Sequence, residues 1–115
     1  MTYVTGFVAA VPTANREKYQ HHVEQAAALF KEYGALKCVE CWGVDVPEGK
    51  VTSFPLAVKR EPDETVVFSW ITWPSREVHE EAIKKIFADP RMNDNPMPFD
   101  GKRLIYGGFE MILDV

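Results

Sequence analysis

Two glutamates stand in the middle of apolar, strand-like segments, and carboxylates in such surroundings can act as general bases. These residues are Glu40 and Glu110. Burial raises the pKa of a carboxyl group and brings it toward the range that proton transfer needs. The alternative is structural, because a buried carboxylate needs a donor, such as Arg16, Lys102 or a tyrosine hydroxyl of a second copy of the chain. The residue types leave both interpretations open.

Aromatic and histidine side chains add further candidates. Trp42, Trp70 and Tyr106 fall in strand-like segments and could line a flat site for a hydrophobic ligand, although aromatic residues in strands more commonly fill a core. Tyr106 and His22 are also candidates for proton transfer, and His22 borders the apolar stripe of a predicted helix, where a histidine usually makes one hydrogen bond. His79 is expected to pack against a neighbouring side chain.

Cys38 and Cys41 form a C-x-x-C pattern, which at the start of a helix would indicate a redox pair or half of a zinc site. Here both cysteines fall in one strand segment, where residues three apart point to opposite faces of a sheet. No second C-x-x-C and no H-E-x-x-H occurs, and the three histidines lack metal-ligand spacing. We therefore expect two free thiols, no bound metal and no cofactor.

Length and composition predict a single globular domain over residues 1–115. Apolar residues make up 46% of the chain and charged residues 26%, which excludes a disordered protein. The formal net charge of −4 argues against nucleic acid as a partner, because such binding needs a basic excess. Neither a targeting segment nor a membrane-spanning apolar stretch is visible. The expectation is a cytoplasmic protein with no membrane partner.

Hydrophobic periodicity predicts four strands separated by helices. The predicted strands are Tyr3–Val11, Leu36–Val46, Thr65–Trp73 and Leu104–Leu113. A long helix should begin at a cap formed by Thr13 or Asn15, run to Tyr33 and stop at Gly34. Its predicted buried stripe consists of Tyr19, Val23, Ala26, Phe30 and Tyr33.

Two capping serines locate the remaining helices. Ser75 should cap a helix that ends near Ala88. The segment 51–60 is ambiguous, but Ser53 as a cap with Pro55 in the first turn favours a short helix over a strand. Residues 89–103 hold three prolines and should form a long loop, with one helical turn at its start.

The resulting order predicts an α+β, ferredoxin-like βαββαβ fold with a four-stranded antiparallel sheet. Right-handed crossovers place the first and third strands at the centre. Helices cover only one face of such a sheet, yet both faces of the predicted strands are rich in apolar residues, which is typical of an interface. We therefore expect a homodimer that buries the other face. The more polar faces, with Glu40, Trp42, Tyr106 and Glu110, are expected to point into the dimer interior.

Three stretches of the chain carry a resemblance to a known family. They are VVFSWITWPSREV from Val66 to Val78, ADPRM from Ala88 to Met92, and YGGFE from Tyr106 to Glu110. The sequence resembles the YbaA-like family of small, uncharacterised bacterial proteins. The resemblance implies a dimeric α+β barrel, an architecture shared with cofactor-independent monooxygenases and with muconolactone isomerases.

Two functions follow as hypotheses. The first is a homodimer that binds a small hydrophobic molecule between its sheets without catalysis. The alternative is a cofactor-independent monooxygenase or isomerase that acts on an aromatic or polyketide-like molecule. The space between the sheets discriminates them, because an enzyme needs a cavity of roughly 300 Å³ or more. Whether the protein is an enzyme stays open at this point.

Overall fold

Four strands form one antiparallel sheet in the computed structural model, which describes residues 1–115. The strands are β1 (Tyr3–Pro12), β2 (Lys37–Trp42), β3 (Glu64–Trp73) and β4 (Ile105–Glu110). Their order across the sheet is β2-β3-β1-β4, so β1 and β3 are central as predicted. The two edge strands are shorter than predicted. Beyond Trp42 only the Gly43 backbone N–H still bonds across, to the Val66 carbonyl at 2.8 Å.

Four helices accompany the sheet, and their order confirms the ferredoxin-like α+β fold. They are α1 (Arg16–Glu32), α2 (Phe54–Ala57), α3 (Arg76–Phe87) and α4 (Pro90–Asn93). Ser53 caps α2 and Ser75 caps α3 through their hydroxyl oxygens, as their sequence context predicted. The helical turn expected at the start of the 89–103 loop is α4. None of the helices combines the length and the apolar composition that crossing a bilayer requires.

The two ends of α1 differ in how well the sequence predicted them. Gly34 follows the helix with a φ of +115°, a left-handed conformation that glycine adopts without strain, so the predicted stop is confirmed. The predicted side-chain cap at the other end is wrong. Asn15 instead donates to the Pro98 carbonyl oxygen at 2.9 Å, and Thr13 shares a hydrogen bond with Thr65. Both side chains therefore connect the start of α1 to distant segments.

Helices α1 and α3 lie on one side of the sheet, which we call the helix face. The main core cluster there joins Leu29 of α1, Ala82 and Ile86 of α3, and Ile71 and Trp73 of β3. The predicted stripe of α1 is confirmed at Tyr19 and Ala26, although the sequence analysis did not include the equally buried Leu29. Trp73 is completely buried and donates its indole N–H to the Thr5 hydroxyl at 3.4 Å.

Two ion-paired clusters hold the long 89–103 loop against the body of the protein. At the end of the loop, the Arg103 guanidinium donates hydrogen bonds of 2.7 and 2.6 Å to the two oxygens of the buried Glu64 carboxylate. These bonds lower the pKa of Glu64. At its start, the buried Asp89 accepts bonds from Arg91 and from the Tyr33 hydroxyl, which lower the pKa of Asp89. The loop is thereby a fixed part of the helix layer.

The opposite side of the sheet carries no long helix, and we call it the open face. Strand register assigns fourteen residues to it: Lys37, Val39 and Cys41 on β2; Val66, Phe68, Trp70 and Thr72 on β3; Val4, Gly6, Val8 and Ala10 on β1; and Ile105, Gly107 and Phe109 on β4. Only one end is covered, where Val58, just after α2, packs on Ala10 and Val66.

The predicted orientation of the edge strands is wrong. Glu40 and Trp42 of β2, and Tyr106 and Glu110 of β4, belong to the helix face and not to the open face. The prediction assumed that helices would take the more apolar side of each strand. On β2, the Tyr19 hydroxyl of α1 instead donates to Glu40, and a satisfied carboxylate costs far less to bury than a bare one. On β4, Tyr106 and Glu110 stay exposed at the edge of the helix face. The more apolar side is consequently left uncovered.

Candidate functional site

The structure divides the predicted site residues between three places. Glu40, Trp42 and His22 come together on the helix face, around the side chain of Tyr19. Tyr106 and Glu110 lie at the far edge of the same face. Trp70 lies on the open face, against Phe68 with their ring centroids 5.6 Å apart. No single predicted site therefore holds all the candidates.

The Tyr19–Glu40 pair forms the centre of the first group. Tyr19 lies on the buried stripe of α1, and Glu40 lies mid-way along β2, directly opposite Ser69 of β3. The Tyr19 hydroxyl donates to Glu40 Oε1 at 2.6 Å. This is the tyrosine contact that the structural interpretation of Glu40 required, although it comes from the same chain.

Electrostatics of the pair follow from its partial burial. Glu40 is itself exposed at the edge of the sheet, but its carboxyl group turns toward Tyr19 of α1, and the partial burial of that group raises the pKa of Glu40. The hydrogen bond from the Tyr19 hydroxyl acts in the opposite direction and limits the rise. Burial, together with the neighbouring carboxylate, raises the pKa of Tyr19. The phenol therefore stays protonated and serves as a hydrogen-bond donor.

Aromatic rings and one cation enclose this pair. The ring of Tyr19 lies 6.1 Å from Trp42 and 5.9 Å from Phe99, measured between centroids. The Arg16 guanidinium lies 5.3 Å above the Trp42 ring, within the range of a cation–π contact. These contacts make the Trp42 ring part of the packing between α1, β2 and the long loop.

His22 connects α1 to the long loop. Its ring Nδ1 lies 3.0 Å from the Asn95 amide oxygen, and the Asn95 amide nitrogen donates to the His22 carbonyl oxygen at 3.0 Å. The ring also meets Phe99 edge-on. A histidine whose ring and backbone both bind one asparagine fits the interpretation of a boundary residue, and a role in proton transfer stays a prediction.

Tyr106 and Glu110 stand apart from Glu40 at the other edge of the sheet. Register aligns Glu40, Ser69, Phe7 and Tyr106 in one row across the four strands. Three strand spacings of about 4.8 Å separate the ends of that row by roughly 14 Å. Glu110 lies four residues further along β4, two rows beyond Tyr106 on the same face, and both residues are exposed. A joint acid–base site of Glu40 with either residue would need a substrate that bridges this distance.

The cysteines and His79 occupy the positions that strand and helix geometry predicted. Cys38 packs on the helix face, where burial raises the pKa of its thiol, whereas Cys41 is exposed on the open face. Both thiols are free. His79 packs against the rings of Tyr3 and Trp73, and this burial lowers the pKa of His79. No three His, Cys, Asp or Glu side chains gather closely enough to hold a metal ion.

The open face presents the largest group of uncovered apolar side chains near the sheet. Phe68, Ile105 and Phe109 are all exposed there, with Phe109 at 61%. Gly6 and Gly107 pair directly across β1 and β4, and the Phe109 ring occupies the space beside both, where a side chain at either position would stand. Lys37, at one corner, is the single charged residue among the fourteen of this face.

A small apolar pocket opens at the β2 end of the open face. Its volume is about 240 Å³, and six of the seven lining residues are hydrophobic. The lining residues are Cys41, Trp42, Gly43, Val46, Phe54, Val66 and Phe68. Phe54 of α2 meets Phe68 edge-on at 5.8 Å between centroids and forms one wall. Such a pocket suits a small, uncharged, apolar molecule and lacks the carboxylate that acid–base chemistry would use.

Sequence reasoning missed several residues of these two sites. Tyr19 was assigned only to the helix core, and Phe54, Phe68 and Phe109 were not named as site residues. The signal for Phe109 was present in the adjacent glycines, since paired strand glycines commonly mark a place where another group approaches closely. No sequence signal located the pocket wall formed by Phe54, because the position of α2 depends on the path of the preceding loop.

The fold and the open face together define a class: a small ferredoxin-like α+β protein that presents an uncovered apolar sheet. Comparison with known proteins places the chain within a family. Residues 2–101 match the family of proteins of unknown function DUF1428, and the chain belongs to that family. It is 58% identical over 116 residues to the uncharacterized protein YbaA of Escherichia coli K12, with 99% of each chain covered. The same values hold for YbaA of Shigella flexneri. The resemblance inferred from the sequence is thus confirmed.

Proposed function

We propose that the protein is a homodimer formed through the open face, and that it binds a small hydrophobic molecule in the apolar pocket without catalysis. The observation that carries the proposal is the uncovered apolar surface of the open face. Monomeric proteins rarely expose a contiguous apolar patch of this kind, and such patches usually mark an interface or a ligand site.

Charge supports a second copy of the chain as the occupant. The chain as a whole is acidic, so two copies repel each other over most of their surface. The open face bears no carboxylate, which allows two copies to meet there without opposing negative charges.

The position of the pocket supports ligand binding between the sheets. The pocket opens on the same face that the second copy would cover, so dimerisation would close it against water. Burial from water is the main source of affinity for an apolar ligand. No carboxylate, histidine or lysine lines the pocket, which favours binding over acid–base catalysis.

The dimer is tested by sedimentation velocity on two matched variants. Phe109→Lys places a charge on the open face, whereas Phe87→Lys places one at the end of α3, where a similarly exposed phenylalanine lies in the helix layer. We expect wild type and Phe87→Lys to sediment as dimers at micromolar concentration and Phe109→Lys to sediment as a monomer. Dimers of equal strength in both variants, or a monomeric wild type, would contradict the proposal.

Ligand binding is tested with N-phenyl-1-naphthylamine, a neutral fluorescent apolar probe. Val46→Phe fills the pocket, while Val44→Phe makes the same substitution at a fully exposed position two residues away. We expect wild type and Val44→Phe to bind the probe with equal affinity and Val46→Phe to lose about tenfold, the equivalent of about 1.4 kcal/mol. Equal binding by the two variants would refute the pocket assignment.

A further inference from the structure

Aromatic rings line one side of the apolar pocket and continue from it along the open face. Phe54 of α2 and Phe68 of β3 both line the pocket, and their ring planes meet at 73° with the centroids 5.8 Å apart. Trp70, two residues further along β3, follows Phe68 at 5.6 Å and 58°. Both contacts fall within the tilted or edge-to-face arrangements that aromatic pairs prefer. The three rings form one continuous row, which we call the aromatic series.

The two rings of the series that line the pocket are held in place but are not used up by packing within the chain. Phe54 is 51% exposed and Phe68 is 41% exposed. Register pairs Phe68 directly with Cys41 of β2. Ser53 caps the start of α2, and the buried Val58, just after that helix, packs on the sheet. A ligand would therefore meet both rings without a rearrangement of the fold, which lowers the cost of binding.

We propose that the pocket takes a planar aromatic molecule of one or two fused rings, which adds a further ring to the aromatic series. This inference rests on the proposed function and deepens it by naming the class of ligand. A ring in the pocket would pair with Phe54 and Phe68, and each aromatic pair adds to the affinity beyond the burial of apolar area. A saturated ligand with the same number of carbons gains the burial alone.

The volume of the pocket sets the number of rings. A buried apolar cavity of about 150 Å³ binds benzene, which corresponds to roughly 25 Å³ per carbon. At about 240 Å³, the pocket exceeds that cavity by roughly 90 Å³. The additional space holds about four carbons at the same volume per carbon, which is the number that one further fused ring adds. Larger fused systems would project out of the pocket.

The remaining lining favours an aromatic ring over a fatty acid. Cys41, Val46 and Val66 contribute a thiol and aliphatic groups, and Gly43 spends its backbone N–H on the Val66 carbonyl oxygen. No cation lines the pocket, and Lys37, the single charged residue of the open face, lies four residues along β2 from Cys41. A carboxylate would thus find no counter-charge there. The polarisable sulfur of Cys41 suits contact with an aromatic ring.

The test compares 2-naphthol with decahydro-2-naphthol by equilibrium dialysis against the protein. Both are uncharged at neutral pH and share one carbon skeleton and one hydroxyl group, so they differ in aromaticity and planarity. We expect wild type to bind 2-naphthol about tenfold more tightly, because two aromatic contacts are gained. Phe68→Leu keeps an apolar side chain but removes one ring, so the preference should fall to about threefold. Phe109→Leu, the same substitution at an exposed position outside the pocket, should keep the full preference.

The size limit has its own ligand and its own control. 1-Hydroxypyrene has four fused rings and should bind at least about tenfold more weakly than 2-naphthol, because most of its rings would stay outside the pocket. Val46→Phe, which fills the pocket, should weaken 2-naphthol binding, whereas Val44→Phe should not. Binding of 1-hydroxypyrene as tight as that of 2-naphthol would overturn the limit of two rings.

The other outcomes separate this inference from the proposed function. Equal affinity of wild type for the naphthol and its saturated counterpart, both weakened by Val46→Phe, overturns the aromatic class and leaves the binding pocket intact. A preference that Phe68→Leu leaves unchanged, or that Phe109→Leu lowers as much, overturns the role of the pocket rings. Affinities that Val46→Phe weakens for neither ligand overturn both the proposed ligand binding and this inference.

Discussion

The helix face and the open face of the sheet differ in the polarity and in the burial of their side chains. On the helix face, polar groups are present and two of them are paired, since Tyr19 donates to Glu40 and Trp73 donates to Thr5, while the buried His79 Nδ1 has no partner. On the open face, almost no polar group is present, and Phe68, Ile105 and Phe109 are left exposed within the chain. The difference teaches that the amount of polarity on a strand does not show which side a helix covers, because a helix can bring its own hydrogen-bond donors.

Substitution of the two β3 tryptophans should give the largest contrast between the faces. Trp73 is fully buried on the helix face, so Trp73→Ala should lower the free energy of unfolding by about 3–5 kcal/mol. Trp70→Ala, on the open face, should act mainly on the dimer. In urea titrations, the loss in free energy of unfolding caused by Trp70→Ala should therefore grow as the protein concentration rises. The loss caused by Trp73→Ala, measured within one oligomeric state, should not depend on protein concentration. Equal concentration dependence would remove the distinction between the faces.

Removal of the Tyr19 hydroxyl should give a smaller effect, confined to the helix face. Tyr19→Phe keeps the ring packing against Trp42 but leaves the Glu40 carboxylate without its phenol donor. Loss of a hydrogen bond to a partly buried group costs about 1–3 kcal/mol. Urea unfolding at neutral pH measures this loss, and the dimer Kd should stay unchanged. A weakened dimer with unchanged stability would instead place the pair at the interface.

The pH dependence of Glu40→Gln tests whether the Glu40 carboxyl is truly buried. Burial raises the folded-state pKa of Glu40 above its ordinary value of 4.5, so the folded protein binds this proton more tightly than the unfolded chain. The stability gained from proton binding at Glu40 is thus complete below pH 4.5 and is lost as the pH rises through the raised pKa. As the pH increases over this range, wild type should lose stability relative to Glu40→Gln. An opposite slope would show that the hydrogen bonds outweigh burial.

Glu64→Gln should show the reverse dependence and provides a comparison within the same chain. Arg103 lowers the folded-state pKa of Glu64, so its contribution is present above pH 4.5 and is lost as the pH falls through the lowered pKa. Wild type should therefore lose its advantage over Glu64→Gln in acid. Urea titrations between pH 3 and 7 measure both slopes, and slopes of the same sign would contradict one of the two pKa assignments.

Local signals in the sequence were sufficient for the fold. Ser53, Ser75 and Gly34 mark helix ends through caps and backbone freedom that depend only on neighbouring residues, and the four strands follow from periodicity. The site was predicted less well because it depends on long-range placement. Glu40 was recognised as an unusual carboxylate, but its partner Tyr19 lies 21 residues away on another element. The side of the sheet on which Glu40 lies could not be read from β2 alone.

A catalytic role for Glu40, Glu110, Tyr106 or His22 stays a prediction, as does the alternative of a cofactor-independent monooxygenase or isomerase. The positions of Tyr19 and Tyr106 place one physical constraint on a catalytic role for Glu40. Tyr19 occupies one carboxylate oxygen of Glu40, and Tyr106 lies three strands away. Any proton transfer by Glu40 would therefore proceed beside Trp42 and Tyr19, on the helix face, and not between two sheets.

The central claim is that a second copy covers the open face, and the reactivity of Cys41 tests it most directly. Cys41 is exposed on that face, whereas Cys38 is partly buried on the helix face and serves as an internal reference. The measurement is the rate of N-ethylmaleimide labelling at each cysteine, followed by peptide mass spectrometry over a range of protein concentrations. The account predicts that Cys41 labelling slows as the concentration rises through the dimer Kd, while the Cys38 rate stays constant. A Cys41 rate that is independent of protein concentration, in samples shown to be dimeric, would contradict the account.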